Sequence, residues 1–214
     1  MKRTNLVVLL FVILASLESP MAFGQSKKYR QAKVSFDDFK ELVLQVEPHR
    51  AQRQIDFATF QKKSKEPNTI ILDSRSAFRF ERIHLKGAKH LAFTDFTQDN
   101  LAKVIPSFDT TILIYCNNNF EGDEVDFATK IARPIDPAKE RIATQMRTQE
   151  KPRMMALNIP TYVNLFGYGY RNVFELDELL DVKDPRVVFE GTLNANSNLP
   201  QLQLQPTPTP TPKK

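Results

Sequence analysis

Short, continuous apolar runs recur along the middle of the chain. Residues 69–72 and 111–115 are the clearest of them, because neither run alternates apolar with polar positions. Such continuity is typical of strands that are covered on both faces, as in a parallel sheet. Residues 88–91 and 172–176 are predicted as two further strands.

Apolar residues at helical spacing lie before and between these strands. A first helix is predicted to open at Ser35 and to end near Pro48. Its buried face is predicted to consist of Phe36, Phe39, Leu42, Val43 and Val46. A second helix is predicted to follow Asp56, with Phe57 and Phe60 facing inward. Three more helices are predicted over residues 77–82, 99–105 and 160–166.

The order of these elements predicts the fold class. Alternating strands and helices favour an α/β protein, with an open, mostly parallel sheet flanked by helices on both faces. Ligands of such sheets bind beyond the carboxyl ends of the strands. Asp73 ends one apolar run and Cys116 follows another, so both are predicted to lie at that edge.

The beginning of the chain differs in composition from this middle part. Lys2 and Arg3 precede an apolar run at residues 6–17 and a small-residue site before Gln25. This pattern predicts a secretory signal peptide over residues 1–24. The run is shorter than the roughly twenty residues of a spanning helix, and an uncleaved membrane anchor is the alternative. The protein is therefore predicted to be exported, periplasmic or secreted, with no membrane span after cleavage.

The end of the chain is also predicted to lie outside the fold. Residues 193–214 are rich in Pro, Thr and Gln, which predicts a disordered tail. A ligand for a proline-recognising partner is the alternative interpretation of this tail. The folded domain is predicted to span residues 25–192, with its N-terminal helices at 35–64.

Charge and residue types narrow the function classes. The formal net charge is +5 and the basic residues are scattered, so no nucleic-acid partner is predicted. His49 and His90 lack partners at ligand spacing, so neither a metal site nor a cofactor is predicted. Cys116 is the single cysteine, which excludes an internal disulfide. Its thiol is either buried and inert or reactive.

Four segments, in the same order along the chain, resemble the rhodanese-like domain family. They are the Asp-x-Arg strand end at 70–75, the Glu-x-x-His-x-x-Gly-Ala stretch at 80–88, the strand at 112–116 and the Gly-Tyr-x-Asn-Val stretch at 167–173. Together they span most of the predicted domain. The resemblance implies the open, mostly parallel sheet of that family.

The resemblance also implies roles for particular residues. Cys116 would accept a sulfane sulfur and hold it as a persulfide, with backbone N–H groups of the following loop pointing at the sulfur. Asp73 and Arg75 would form a supporting ion pair, and His84 would help to hold the turn at Gly87. The predicted substrate-binding residues follow the cysteine and are Asn117, Asn118, Asn119, Phe120, Glu121 and Gly122.

The loop after Cys116 departs from the family pattern Cys-x-x-Gly-x-Arg. Asn119 stands in place of the glycine, and Asn tolerates the left-handed conformation better than most residues. Glu121 stands in place of the arginine, and if it points inward its charge repels an anionic donor such as thiosulfate. Residues 121–155 form an insertion that is rich in Lys and Arg, at the mouth of the predicted site. Its positive charge would offset that of Glu121.

Three functions remain open on these grounds. The first is a sulfurtransferase or persulfide carrier that uses Cys116, with a sulfur-containing or anionic ligand and a protein as a sulfur acceptor. The second is a catalytically degenerate module that binds a small anion or a protein partner. The third is a cysteine phosphatase, which needs an arginine six positions after the cysteine, where Gly122 stands.

Overall fold

A computed structural model describes residues 29–132 and 153–195. The predicted signal peptide at 1–24, the centre of the insertion at 121–155 and most of the tail at 193–214 lie outside the described residues. The chain divides into two units after Ser35. The helices and strands described below belong to the second unit, which begins at Phe36. Within the described ranges, no helix has the length and apolarity that crossing a membrane requires.

Helices and strands alternate along the described residues. The α-helices are α1 (Phe36–Ala51), α2 (Phe57–Lys63), α3 (Ala77–Arg82), α4 (Gln98–Val104), α5 (Asn158–Gly167) and α6 (Thr192–Ala195). The strands are β1 (Gln54–Ile55), β2 (Thr69–Asp73), β3 (His84–Leu85), β4 (Lys89–His90), β5 (Thr111–Tyr115), β6 (Phe120–Glu121), β7 (Ile131–Ala132), β8 (Arg153–Met154), β9 (Val173–Leu176), β10 (Leu180–Asp181) and β11 (Phe189–Glu190).

The main sheet has five parallel strands in the order β1-β9-β5-β2-β4. This arrangement confirms the predicted α/β class, and each predicted strand overlaps a strand of the sheet. Strand β5 is central, and its pairing with β2 runs from Thr69 opposite Thr111 to Asp73 opposite Tyr115. This register brings Asp73 and Cys116 to the same carboxyl edge, as the strand ends predict.

Alternate residues of the strands point to two separate cores. On one face, Ile112 and Ile114 of β5 pack with residues of α1, α4 and α5. On the other face, Leu113 and Tyr115 pack with Phe57 and Phe60 of α2. Burial on both sides explains why the apolar runs are continuous rather than alternating.

Helix α1 differs from its prediction at both ends. It runs past Pro48 to Ala51, and Phe36 and Phe39 are 75% and 47% exposed rather than buried. A helical proline cannot donate a backbone hydrogen bond to the carbonyl four residues earlier, which here belongs to the exposed Leu44 and can be solvated instead. Burial is confined to the part of α1 from Leu42 onward, because α5, against which α1 packs, is the shorter helix.

The other helices lie close to their predicted positions. Helix α2 follows Asp56, whose side chain accepts a hydrogen bond from the Thr59 amide at 2.8 Å and caps the helix. Helix α3 covers residues 77–82 as predicted. Helix α5 begins at Asn158, two residues before Pro160. The predicted boundary between domain and tail, at residue 193, falls inside α6.

Candidate active site

The candidate site is built on a buried ion pair at the end of β2. Asp73 and Arg75 are both almost fully buried. The Arg75 Nε contacts both Asp73 oxygens at 3.0 Å, and its Nη2 donates to Oδ2 at 2.7 Å. The Arg75 backbone amide also donates to Asp73 Oδ1 at 2.9 Å. Asp73 and Arg75 thus form a buried ion pair at the end of β2.

Arg75 also ties the end of β2 to the neighbouring segments. Its Nη2 donates to the Ile83 carbonyl at 2.6 Å and its Nη1 to Asn117 Oδ1 at 3.1 Å. Burial alone would lower the pKa of Arg75, but the hydrogen bond and charge of Asp73, with smaller effects of Tyr115 and Cys116, raise it above its ordinary value. Arg75 is therefore a fixed cation next to the cysteine.

Tyr115 completes this network from the central strand. Its hydroxyl donates to Asp73 Oδ2 and accepts from the Leu85 amide. Burial, followed by the charge of Asp73, raises the pKa of Tyr115 well above its usual value. The hydroxyl therefore stays protonated at neutral pH and can serve as a donor to the carboxylate.

Cys116 follows β5 and begins a turn of 3₁₀ helix over residues 117–119. The Asn119 side chain accepts from the Cys116 amide at 2.9 Å, and the Asn119 amide donates to the Cys116 carbonyl at 3.1 Å. Asn119 also donates through Nδ2 to the Leu176 carbonyl at 2.8 Å, which fastens the turn to the end of β9. Asn119, at the family's glycine position, therefore holds the turn with its side chain, and it does not adopt a positive φ.

A cavity of about 270 Å³ opens beside Cys116. Residues from the ends of β2 and β5, from α3 and from the insertion line it: Arg75, Ser76, Arg79, Cys116, Asn117, Ala128, Thr129, Lys130 and Leu157. Its volume is sufficient for a small anion or for one side chain of a partner. Cys116 itself is only 1% exposed, so the thiol forms part of a deep wall of this cavity.

One wall of the cavity is the first part of the insertion, which folds back onto α3. Asp126 is buried and accepts from Arg82 Nε at 2.6 Å, and its Oδ1 lies 3.7 Å from Arg79 Nη1. Arg79 Nη1 also donates to the Val125 carbonyl. Arg79 and Arg82 of α3 therefore hold this part of the insertion in place.

The next part of the insertion is fastened to the turn after the cysteine. The Lys130 amide donates to Asn118 Oδ1 at 3.2 Å, and the Met155 amide donates to the Lys130 carbonyl at 2.8 Å. Asn117 Nδ2 donates to the Ala128 carbonyl at 3.2 Å. Just beyond Lys130, β7 pairs with β8 in an antiparallel ladder. Asn117 and Asn118 thus position the insertion, and Asn117 also lines the cavity.

The electrostatic balance of the cavity is positive. Arg75, Arg79 and Lys130 line it. Asp73 pairs with Arg75, while Asp126 is shared between Arg82 at 2.6 Å and Arg79 at 3.7 Å. Four cations against two carboxylates leave a net charge of +2 in this group. Lys130 forms no ion pair within the part of the chain that the structure describes. Such a cavity suits an anion.

Five of the six predicted substrate-binding residues lie outside the cavity lining, which contains only Asn117 of that group. Phe120 is buried in the core against Tyr115 and Phe127. Glu121 is exposed in β6, where it pairs with Asp181 of β10, and Gly122 follows it with a φ of 88°. The condition under which Glu121 repels an anionic donor, that it points inward, is therefore not met. Pairing of β6 with a strand near the end of the domain turns this side chain outward.

His84 and the Gly87 amide both contact the carboxylate of Glu190. Its Nε2 is 3.9 Å from Glu190 Oε2, which also accepts from the Gly87 amide at 3.1 Å. Its Nδ1 lies 2.7 Å from the Phe80 carbonyl. These contacts join His84 to α3 and to β11, outside the cavity lining. The described residues contain no cluster of His, Cys, Asp and Glu that would hold a metal ion.

Sequence reasoning missed two residues at the site. Arg79 lies in α3, four residues after Arg75, and the predicted helix over 77–82 was the available signal for placing its side chain near the same edge. Asp126 carries no local signal, because its role depends on the insertion folding back onto α3. Lys130 lies in the insertion at 121–155, whose basic composition does not single it out.

The chain is similar to one family of known domains and to a few solved structures. The model of the rhodanese-like domain family matches residues 56–178, which include β2, β5 and the whole turn after Cys116. No curated protein matches the sequence. Among solved structures, the BH2092 protein from Bacillus halodurans is 15% identical, with a TM-score of 0.34 over 64% of this chain and 74% of the other.

Proposed function

This chain belongs to the rhodanese-like domain family, and from that premise we propose that Cys116 accepts a sulfane sulfur and carries it as a persulfide. The observation that carries the proposal is the position of this thiol. It lies at the carboxyl end of the central strand and forms the wall of a cavity that contains more cations than carboxylates. The charge of Glu121 no longer argues against an anionic donor, since Glu121 is outside the lining.

The proposed step transfers one sulfur atom without a cofactor. The Cys116 thiolate attacks the outer sulfur of a donor such as thiosulfate, a new S–S bond forms, and the bond between that sulfur and the sulfite group breaks. Sulfite leaves with the bonding electron pair. A nucleophilic acceptor then attacks the outer sulfur of the persulfide, and Cys116 is released as a thiolate.

Side chains around the cavity have distinct roles in this proposal. Arg75 is a permanent cation beside a sulfur that is negatively charged both as thiolate and as persulfide. Arg79 and Lys130 attract the anionic donor and the leaving sulfite. Asn119 keeps the Cys116 backbone amide in a fixed hydrogen bond and so fixes the direction of the side chain. Arg79 and Lys130 would touch the donor, whereas Asn119 is a positioning residue.

The experiment is the intact mass of the purified protein before and after incubation with thiosulfate. We expect a gain of one sulfur atom that cyanide reverses, and no gain in Cys116→Ser. Replacing both Arg79 and Lys130 with Met is expected to slow sulfur uptake about tenfold or more, because two attractive charges are lost.

Glu121→Gln is the matched control, because it changes a charge just outside the lining, and it should leave sulfur uptake unchanged. A wild-type thiol that takes no sulfur from thiosulfate or from an organic persulfide would sink the proposal.

The alternative is a family member that binds an anion and performs no transfer. The burial of Cys116, which leaves it 1% exposed, favours this reading. Titration with sulfate, which resembles thiosulfate but carries no sulfane sulfur, separates the two. Saturable binding that depends on Arg79 and Lys130, without any sulfur uptake from donors, would establish the binding module instead.

We also propose that the protein acts after export. The proposal rests on the basic start, the apolar run and the small-residue site within residues 1–24. The mature protein is then expected to begin near Gln25, as N-terminal sequencing of the natural protein would reveal. A chain that retains Met1 in an integral membrane fraction would contradict this.

A further inference from the structure

Exposed apolar side chains are concentrated around the mouth of the cavity beside Cys116. Five large apolar residues there are between 42% and 65% exposed. They form what we call the apolar rim, which consists of Phe78, Val125, Met154, Met155 and Ile159.

The members of the rim are connected, by a contact or by position in the chain, to the cavity lining or to the turn after Cys116. Phe78 precedes Arg79, and the Val125 carbonyl accepts from Arg79 Nη1. Met154 Sδ accepts from Asn118 Nδ2, and the Met155 amide donates to the Lys130 carbonyl. Ile159 lies in the first turn of α5, two residues after the lining residue Leu157. The rim residues are therefore close to the cavity lining along the chain or through hydrogen bonds.

This clustering distinguishes the rim from ordinary surface apolarity. Single exposed apolar residues are common on soluble proteins, but groups of them around an opening mark surfaces that bind another molecule. A site that serves only a free inorganic anion gains nothing from such a border, because apolar surface does not stabilise a hydrated ion. The combination of an apolar rim with a positively charged cavity calls for a ligand with a charged tip and an apolar body.

We propose that the apolar rim is the docking surface for a partner protein that receives sulfur from Cys116. The partner would present a cysteine on an exposed segment, with apolar residues beside it for the rim and acidic residues to match the cavity charge. This inference rests on the proposed function and names the acceptor class of the same site. The cavity of about 270 Å³ holds an inserted cysteine side chain, so the partner reaches a thiol that is itself buried.

The transfer step is balanced without a further reagent. The partner thiol releases its proton to solvent and attacks the outer sulfur of the Cys116 persulfide as a thiolate. An S–S bond forms on the partner, the bond between the two sulfurs at Cys116 breaks, and Cys116 retains the electron pair next to Arg75. Attack on the outer sulfur needs little access to Cys116 itself, because the persulfide extends about 2 Å into the cavity.

The test measures transfer from the persulfide form of the full protein to two thiols. One probe is a peptide whose single cysteine is flanked by leucines and aspartates, and the other is 2-mercaptoethanol. In Met155→Ser/Ile159→Ser we expect transfer to the peptide to fall about tenfold, since two apolar contacts are lost. Transfer to 2-mercaptoethanol should change by less than about twofold, because a small thiol does not need the rim. The matched control, Leu44→Ser/Val188→Ser, removes two equally exposed apolar residues elsewhere and should leave both rates unchanged.

Each other result counts against the docking surface. Equal losses with both thiols, or no loss with the peptide, would overturn it. Rim-dependent binding to phosphatidylglycerol vesicles, with no rim-dependent transfer to the peptide, would assign the surface to a membrane instead. If wild type takes up no sulfur at all, Cys116→Ser is titrated with the Cys→Ser form of the peptide and followed by fluorescence anisotropy. Peptide binding that depends on the rim would then support the docking surface although the proposed sulfur transfer fails. Absence of binding would overturn both proposals.

Discussion

Two arginine–carboxylate pairs, each with a buried carboxylate, lie on either side of the central strand β5. Asp73 and Arg75 pair at the end of β2, and Arg50 of α1 pairs with Glu175 of β9. In both, two nitrogens of the guanidinium face the carboxylate. The chemistry of the two contacts is the same, but one pair borders the candidate site and the other fastens a helix to the sheet.

The difference lies in what surrounds each carboxylate. Asp73 also accepts from the Arg75 amide and the Tyr115 hydroxyl, so its buried charge is surrounded by donors. Burial raises the pKa of Glu175 more than the hydrogen bond and charge of Arg50 lower it, so its ionised form is less well compensated. A buried ion pair stabilises a fold only when further hydrogen bonds offset the desolvation of both charges. By this criterion, the buried charge of Asp73 is better compensated by hydrogen bonds than the buried charge of Glu175.

The largest effect is expected from Asp73→Ala. Loss of the carboxylate leaves the guanidinium of Arg75 buried without its anion, which should lower the free energy of unfolding by about 3–5 kcal/mol. Urea unfolding followed by circular dichroism measures it. Asp177→Ala removes an exposed carboxylate just beyond β9 and serves as the control. An unchanged unfolding midpoint in Asp73→Ala would show that the pair contributes nothing to the fold.

A smaller loss is expected from Arg50→Met, which leaves Glu175 without its cation. We expect about 1–3 kcal/mol at neutral pH, because Glu175 can bind a proton and Arg50 is partly exposed. The loss should depend on pH with a definite sign. The folded-state pKa of Glu175 lies above its ordinary value of 4.5, so its contribution to stability falls as pH rises from that value through the raised pKa. Removing Arg50 raises this pKa further and steepens the fall, so a constant loss at every pH would contradict the account.

Removing one tyrosine hydroxyl near each ion pair tests the difference between the two pairs further. Tyr115→Phe removes the donor to Asp73 and leaves the buried Leu85 amide without an acceptor, which should lower the free energy of unfolding by about 1–2 kcal/mol. Tyr162→Phe, near the other pair, removes contacts to His49 and the Val173 carbonyl. Its loss should be below about 1 kcal/mol, because the half-buried His49 can turn to water. Equal losses in urea unfolding would erase the distinction between the two regions.

The smallest effect is expected from Glu175→Gln. The neutral amide keeps the shape and removes a poorly compensated charge, so stability at neutral pH should stay within about 1 kcal/mol of wild type. The fall in stability with pH that Glu175 contributes should disappear above pH 4.5. Unfolding curves across that range give the result. A loss as large as that of Asp73→Ala would mean that both pairs are equally necessary.

Much of the fold could be predicted from local pattern. The runs at 69–72 and 111–115 correspond to β2 and β5, and helix α3 has its predicted bounds. These elements are predictable because burial on both faces of a parallel sheet leaves a continuous apolar signature. Phe36 and Phe39 show the limit of that reasoning. Their helical spacing is real, but spacing does not tell whether a partner is long enough to cover both turns.

The candidate site also has a part that could be predicted from the sequence and a part that could not. The strand ends and the family resemblance indicated Asp73, Arg75, Cys116 and Asn117, which the structure brings together. The two-residue strands β6 and β10 could not be predicted, since each is too short to carry a period. Without that pairing, the direction of Glu121 was undetermined.

By itself, the sequence determined which residues reach the carboxyl edge of the sheet, because the length of a strand and its apolar pattern are local properties. Only the tertiary structure decided the charge of the cavity at that edge. Arg79 faces it because Asp126 folds back onto α3, and Glu121 is turned away because β6 pairs with β10. Both outcomes depend on contacts between segments that are distant in the chain. Such contacts form only where the whole domain brings the partners together, so no local pattern records them.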